Sequence, residues 1–221
     1  MKIGAQNGAV DGMSQSLYGE LFSKLREDIL AERLKSGEKL AEQRVCEAYK
    51  VSRTPVREAL RQLAADGLIE MLPNRGAFVL GFSRSDMEDI FDLRGICETQ
   101  AARRAVERIT EGRLAELDEI LEFMEFYTKK RDAKKMTEIN ANFHQLIHDA
   151  SGCRMLRRTL SSCLLYIRYS RQTKAYSEDA LPAILAEHRR ICEAFHAADA
   201  EAGADAMRAH VENARARAGF E

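Results

Sequence analysis

Tryptophan is absent from the 221 residues, and proline occurs only three times. With so few helix breakers and with apolar residues recurring at helical spacing, the expected class is mainly α. No apolar run approaches the ~20 residues needed to span a bilayer, and the first residues carry no signal-peptide pattern. The expectation is a soluble, cytoplasmic protein. The five cysteines (Cys46, Cys97, Cys153, Cys163, Cys192) form no Cys-x-x-Cys pair and read as small buried hydrophobes in a reducing compartment. A net charge of −1 gives no global basic signature, so affinity for nucleic acid has to come from a local patch. The chain shows no internal repeat and no low-complexity tract, and its length suffices for one large or two modest domains.

What is present is organised around Lys50–Arg61, which reads Lys-Val-Ser-Arg-Thr-Pro-Val-Arg-Glu-Ala-Leu-Arg. Ser52 or Thr54 can cap a helix there, and Pro55 falls in its first turn, where a missing N–H costs little. Val56, Leu60 and Leu63 make an apolar face, with Ala59 and Ala64 as small packers. Arg53, Arg57 and Arg61 recur every four residues and make a second face. A row of guanidinium groups suits the major groove, because arginine can donate two hydrogen bonds to guanine O6 and N7 or clamp a phosphate. A solvated basic face is the other reading of such a row.

The flanks favour the first. Leu40–Tyr49 reads as a second short amphipathic helix, separated by a tight turn, as in a helix-turn-helix. Downstream, Gly67–Leu72 and Ala77–Leu80 are short apolar runs around Pro73-Asn74-Arg75-Gly76, which predicts a β-hairpin with Arg75 at its tip. Upstream, Ser14 or Ser16 is expected to cap a helix through Leu21, Leu25, Ile29 and Leu30. Residues 1–13 are expected to be a flexible tail, 14–82 a winged helix-turn-helix, and 84–218 an all-helical domain.

The run from Ser36-Gly37-Glu38-Lys39-Leu40 through Ser52-Arg53-Thr54-Pro55-Val56-Arg57-Glu58-Ala59-Leu60 to Asp66-Gly67-Leu68-Ile69 closely resembles the GntR family of bacterial transcription regulators, in its FadR-like branch. The resemblance covers residues 15–82. It implies DNA contacts from Arg53, Thr54, Arg57 and the wing glycine Gly76; Ser52 at the helix start and Arg75 at the hairpin tip, which would fit a minor-groove or phosphate contact, are further candidates. Where some members read DNA with an arginine, this chain has Gln43, with Arg44 beside it.

From residue 84 onward the pattern is helical throughout. Ser83 or Ser85 is placed to cap the first helix, and the stripes Ile90/Leu93/Ile96/Cys97/Ala101/Ala105, Leu114/Leu117/Leu121/Met124, Met136/Phe143/Ile147, Leu156/Leu160/Ile167, Ile184/Leu185/Ile191/Phe195 and Met207/Val211/Ala214 predict an antiparallel bundle of six to seven helices. Asn140 and His144 lie four apart on one helix and share a face, while His188 and His210 sit on the last two helices. Imidazole nitrogens suit Zn²⁺, Ni²⁺ or a related ion. A competing stripe pairs His144 with His148 and aligns His188, Cys192 and His196. Arg94, Glu98, the Asn-x-x-Phe-His run at 140–144 and the late histidines resemble the FCD domain, the effector-binding half of FadR-like regulators. Many such domains bind a divalent metal with an aspartate and three histidines, which match Asn140, His144, His188 and His210. The aspartate position is an asparagine here. Arg94 is expected to pair with an anionic effector, its other role being a salt bridge to Glu98.

The resemblance implies a homodimeric regulator that binds double-stranded operator DNA, with affinity modulated by a small organic acid in a metal-containing helical domain. No catalytic role is required. An acyl-CoA-responsive regulator without metal and a metal-dependent enzyme in the helical half are the alternatives.

Overall fold

The structure is a computed structural model that describes residues 7–81, 83–170 and 176–219. It separates into two compact units, residues 1–83 and 84–221.

In the first unit α1 (Asn7–Leu30) precedes a two-residue strand β1 (Lys39–Leu40), then α2 (Glu42–Tyr49), α3 (Arg53–Ala65) and the hairpin β2 (Ile69–Leu72) and β3 (Gly76–Val79). Helix α1 starts well before Ser14, so the expected caps at Ser14 or Ser16 are not its start. Of the expected tail, Asn7–Met13 is helical and residues 1–6 lie outside the described residues. Once a packed turn nucleates a helix, adding residues to its end costs little. Leu21, Leu25 and Ile29 of α1 are buried where α1 packs on α3, whose own buried face is Val56, Ala59, Leu60 and Leu63. A polar clasp fixes α1 to α2: Asp28 accepts from Tyr49 Oη at 2.6 Å and from Arg33 Nε at 2.6 Å. Burial opposes the charge on Asp28, but the hydrogen bonds from Tyr49, Arg33 and Lys24 outweigh it and lower the carboxyl's pKa.

Lys50 closes α2 in the left-handed region (φ 54°), and α3 begins three residues later with Ser52 at its N-cap position. The cap is positional only, since Ser52 makes no side-chain hydrogen bond there. The hairpin pairs antiparallel with Ile69 opposite Val79 and Leu72 opposite Gly76. Its turn needs left-handed backbone at Asn74 (φ 59°) and Gly76 (φ 98°), which suits an asparagine and a glycine. The sequence reading placed Leu40 in the second helix. Instead Lys39 and Leu40 pair with Phe78 and Ala77, giving a three-stranded sheet of order β1-β3-β2. Two residues are too few for an alternation to register.

The second unit contains α4 (Arg84–Val106), α5 (Glu111–Lys129), α6 (Ala133–Ala150), α7 (Arg154–Ser170), a 3₁₀ turn Glu178–Ala180, α8 (Leu181–His196) and α9 (Ala200–Arg217). Side-chain caps from Thr110, Asp132 and Asp199 open α5, α6 and α9. Helix α4 is the spine, packing on α6, α7 and α9, while α8 joins α5 to α9. The expected stripe on α4 is partly wrong. Leu93 and Ile96 are 50% and 67% exposed, whereas Met87, Phe91, Arg94 and Glu98 point inward. A charged pair on the buried face defeats a reading based on apolar spacing alone.

The contact between α4 and α9 has no slack at Gly203, where an added Cβ would lie 2.8 Å from Val106 Cγ2. Val106 is buried and β-branched, so it has little freedom to yield. Gly203→Ala should therefore destabilise the protein by about 1–2 kcal/mol despite alanine's better helix propensity, read as a lower urea midpoint at unchanged slope. A raised midpoint would show that the two helices have room to spare.

Candidate functional site

The first unit exposes every residue that the sequence singled out for DNA. Gln43 and Arg44 on α2, Ser52 before α3, Arg53, Thr54 and Arg57 in it, and Arg75 and Gly76 of the hairpin are all solvent-exposed. Gln43 Nε2 donates to Glu47 one turn along. Arg57 Nε donates to both carboxylate oxygens of Glu42, at 2.9 and 3.0 Å. The Arg75 guanidinium lies 5.8 Å from the Phe78 ring centre, which supports it at the tip of the hairpin. A hollow of about 190 Å³ separates α3 from the hairpin and is lined by Glu42, Arg57, Leu60, Arg61 and Met71.

The second unit buries a cluster of imidazoles at its centre. His144 of α6, His188 of α8 and His210 of α9 are essentially inaccessible, and one nitrogen from each lies within 4.8 Å of the others. Each ring is anchored through Nδ1. His188 Nδ1 donates to the carbonyl of Ile184 at 2.7 Å. His210 Nδ1 lies 2.8 Å from Glu187 Oε2, and His144 Nδ1 lies 3.1 Å from Glu98 Oε2. A carbonyl or an ionised carboxylate only accepts, so each Nδ1 carries the hydrogen and each Nε2 presents a bare lone pair.

Those lone pairs converge. His144 Nε2 and His210 Nε2 stand 3.2 Å apart, and His188 Nε2 is buried with no hydrogen-bond partner among the described residues. The amide oxygen of Asn140, one turn before His144 on the same helix, is also buried and unpartnered. A tetrahedral ion with metal–nitrogen bonds of about 2.0–2.1 Å would separate two ligand nitrogens by about 3.3 Å. The donor set therefore fits a divalent transition metal. Three neutral nitrogens and one amide oxygen carry no charge of their own, and the anions, Glu98 and Glu187, stand behind the rings.

Both carboxylates are held ionised. Burial pushes the Glu98 carboxyl up, but His144 and His148 more than reverse this and hold it well below the usual range. Burial likewise opposes Glu187, yet Arg217 and His210 bring it down to about 2. Arg217 reaches it through Nη1 at 2.7 Å and Nη2 at 2.8 Å, and Asn213 adds a further donor. For the imidazoles burial wins: His144 and His210 fall to about 4 and His188 to about 3.

Arg94 is 2% exposed and forms the ion pair with Glu98, Nε to Oε1 at 3.1 Å. Its Nη2 also lies 3.4 Å from His144 Nε2, so the guanidinium borders the cluster. The competing stripe assembles only in part: His144 and His148 meet at Glu98, their ligand atoms all within 4.8 Å of one another, but His188, Cys192 and His196 do not come together. His196 is on the surface against Asp118 at 2.8 Å, and burial pushes the Cys192 thiol up to about 12. His148 instead turns to Glu98 (Nε2 to Oε2, 2.8 Å), leaving its own Nδ1 buried and unpartnered. Sequence reasoning missed Glu187 and the carboxylate role of Glu98. Glu187 precedes His188, and its pairing with His210 depends on how α8 meets α9, which no spacing rule encodes.

Residues 17–79 match the family described as bacterial regulatory proteins, gntR family, and residues 89–213 match the FCD domain. The transcriptional repressor RspR of Escherichia coli is 28% identical over 199 residues, covering 90% of this chain and 87% of that protein. BphR of Paraburkholderia xenovorans, described as an uncharacterised HTH-type transcriptional regulator, is 30% identical over 206 residues, covering 90% and 84%. Among solved structures, E. coli McbR/YncC shares the fold with a TM-score of 0.70 at 23% identity, covering 92% of this chain and 97% of that one.

The histidine shifts predict a pH dependence for the metal-free protein. An unfolded imidazole takes a proton near pH 6.5, whereas the folded ones resist protonation down to about pH 4 (His144, His210) and about pH 3 (His188). Between those limits the unfolded state binds more protons, so stability falls as the pH drops through this window. The depressed carboxyls act in the same direction below pH 4.5. Urea midpoints of chelated protein should decline steadily from pH 7 to pH 5; a flat or rising series would contradict the buried, neutral cluster.

Proposed function

Because this chain belongs to the GntR family of bacterial transcription regulators and carries an FCD domain after its winged unit, we propose that it is an operator-binding regulator whose helical unit holds a divalent metal and a small organic acid. That it is a bacterial DNA-binding transcriptional regulator follows from the family. The finer reading rests on one observation: the Nε2 atoms of buried His144, His188 and His210 converge within 4.8 Å while each ring's Nδ1 is engaged elsewhere.

In this proposal His144, His188 and His210 ligate the metal, with Asn140 Oδ1 as a weaker fourth donor. Zn²⁺ and Ni²⁺ fit the nitrogen-rich set. When bound, the ion supplies a Lewis-acidic centre with coordination positions left open to a carboxylate. Glu98 and Glu187 hold the rings in the correct tautomer, and Arg94 contributes a fixed positive charge at the edge of the cluster where an anionic effector would lie. On the DNA side Arg53 and Arg57 present base-reading guanidinium groups, Ser52, Thr54, Gln43 and Arg44 flank them, and Arg75 with Gly76 carries the wing. A two-fold homodimer reads two half-sites and gains affinity from both. Effector occupancy changes operator affinity because the effector binds one state of the regulator more tightly than the other. The relatives are transcriptional regulators, and no described helix is long and apolar enough to cross a membrane. In this proposal the regulator works in the cytoplasm and needs no catalytic residue.

A thermal-shift screen of chelated full-length protein tests this reading. Adding Zn²⁺ or Ni²⁺ should raise the melting temperature, small carboxylates should raise it further only when metal is present, and His144→Ala should lose both effects. Stabilisation by acyl-CoA with no response to metal would replace the proposal with a metal-free regulator.

A further inference from the structure

Among the exposed arginines of α2 and α3, Arg57 is held in a way the others are not. Arg61 pairs within its own helix, to Glu58 three residues away at 2.7 Å. Arg44 and Arg53 make no side-chain hydrogen bond among the described residues. Arg57 is bound across the helix-turn-helix, from the second turn of α3 to the first residue of α2, with both oxygens of Glu42 on the single Nε hydrogen. That contact engages one edge of the guanidinium. The four Nη hydrogens donate to no acceptor among the described residues and remain available as a planar fork, the shape that matches guanine O6 and N7.

The pair does not owe its position to stability. Its side chains are 57% and 37% exposed, and ion pairs with that much access to water contribute little to folding. Glu42 is nonetheless well placed to stay fixed. It is the first residue of α2, where a carboxylate is favoured by the positive end of the helix. Its neighbours on the hollow, Leu60 and Met71, are apolar, so Glu42 is the one hydrogen-bond acceptor side chain lining it. A carboxylate beside a DNA-facing arginine also carries a cost, since it repels phosphate. Such a residue weakens binding to any sequence while narrowing which sequence is bound.

We infer that Glu42 is a positioning residue for base recognition: its carboxylate restricts the Arg57 side chain so that the guanidinium fork is presented in one orientation, trading general DNA affinity for base preference. The inference rests on the reading of α3 as the helix that enters the major groove. Arginine loses rotameric freedom on binding, and a side chain already restrained loses less. Without Glu42 the same guanidinium swings to the nearest phosphate, a contact that positions the protein but carries no sequence information.

The test is a selection of binding sites from a random duplex library, using the full-length protein and the variants Arg57→Ala, Glu42→Ala and Glu42→Gln. Affinity for an unselected duplex is measured in parallel. A bidentate guanine contact discriminates by roughly 5- to 150-fold, so Arg57→Ala should flatten one position in each half-site by an amount in that range. Glu42→Ala should flatten the same position while binding the unselected duplex as tightly as the parent or more tightly. Glu42→Gln keeps an acceptor for Arg57 Nε–H and should restore part of the preference. If Arg57→Ala leaves the selected motif intact, the reading of α3 fails. If Arg57→Ala flattens a position and both Glu42 variants leave it sharp, the reading stands and the inference is wrong. Loss of binding to both duplexes with a lowered melting temperature in both Glu42 variants would show a structural role and overturn it as well.

Discussion

Two nitrogen lone pairs facing each other at 3.2 Å in a buried interior are the constraint on which the helical unit depends. They belong to His144 and His210, whose other nitrogens are committed to Glu98 and Glu187. Moving a hydrogen onto either Nε2 to bridge the gap would strip it from an Nδ1 and turn a lone pair toward a carboxylate. Protonating a ring instead would place a cation in a fully buried site beside Arg94, which is why the imidazole pKa values fall. A divalent cation bound there would resolve the conflict while leaving the Nδ1 hydrogen bonds in place, displacing only the long contact from Arg94 Nη2 to His144 Nε2. The surrounding helices supply one part each: α6 and α9 bring the facing pair, α8 brings His188, and α4 brings the glutamate and arginine.

This arrangement has an energetic logic that apolar packing alone does not supply. Arg94 and Glu98 are both almost completely buried, and a buried ion pair is tolerated only when further hydrogen bonds occupy its remaining donors and acceptors. Glu98 meets this through His144 and His148 together. The core of the second unit is thus a polar network inside an apolar shell of Phe143, Ile147, Ile184, Ile191, Met207 and Val211. Networks of this kind specify one arrangement of the helices, because any slip leaves a charge unpaired.

Much of this was legible in the sequence, for different reasons in the two halves. The winged unit was readable because Ser52–Leu60 combines a helix start, an apolar face and an arginine row within nine residues, and because Pro73–Gly76 marks its turn. Only the two-residue strand at Lys39 and the early start of α1 escaped. The helical unit was harder. The identity of His144, His188 and His210 as a group came from resemblance, since three histidines on three helices have no local spacing to connect them. The inward turn of Arg94 and Glu98 reversed the expected face of α4 at Leu93 and Ile96, because apolar periodicity assumes that charge lies outside. Glu187 stayed invisible for the same reason: its partners are Arg217 and His210 on another helix.

The most direct measurement is the metal content and cobalt spectrum of the chain. Full-length protein, stripped by chelation and dialysed against Co²⁺, should bind one equivalent per chain and show the visible ligand-field bands of a nitrogen-rich site of low symmetry, with His188→Ala weakening binding by about 10-fold or more. Failure to retain Co²⁺, or retention that His188→Ala leaves unchanged, would mean that the converging lone pairs are not a metal site.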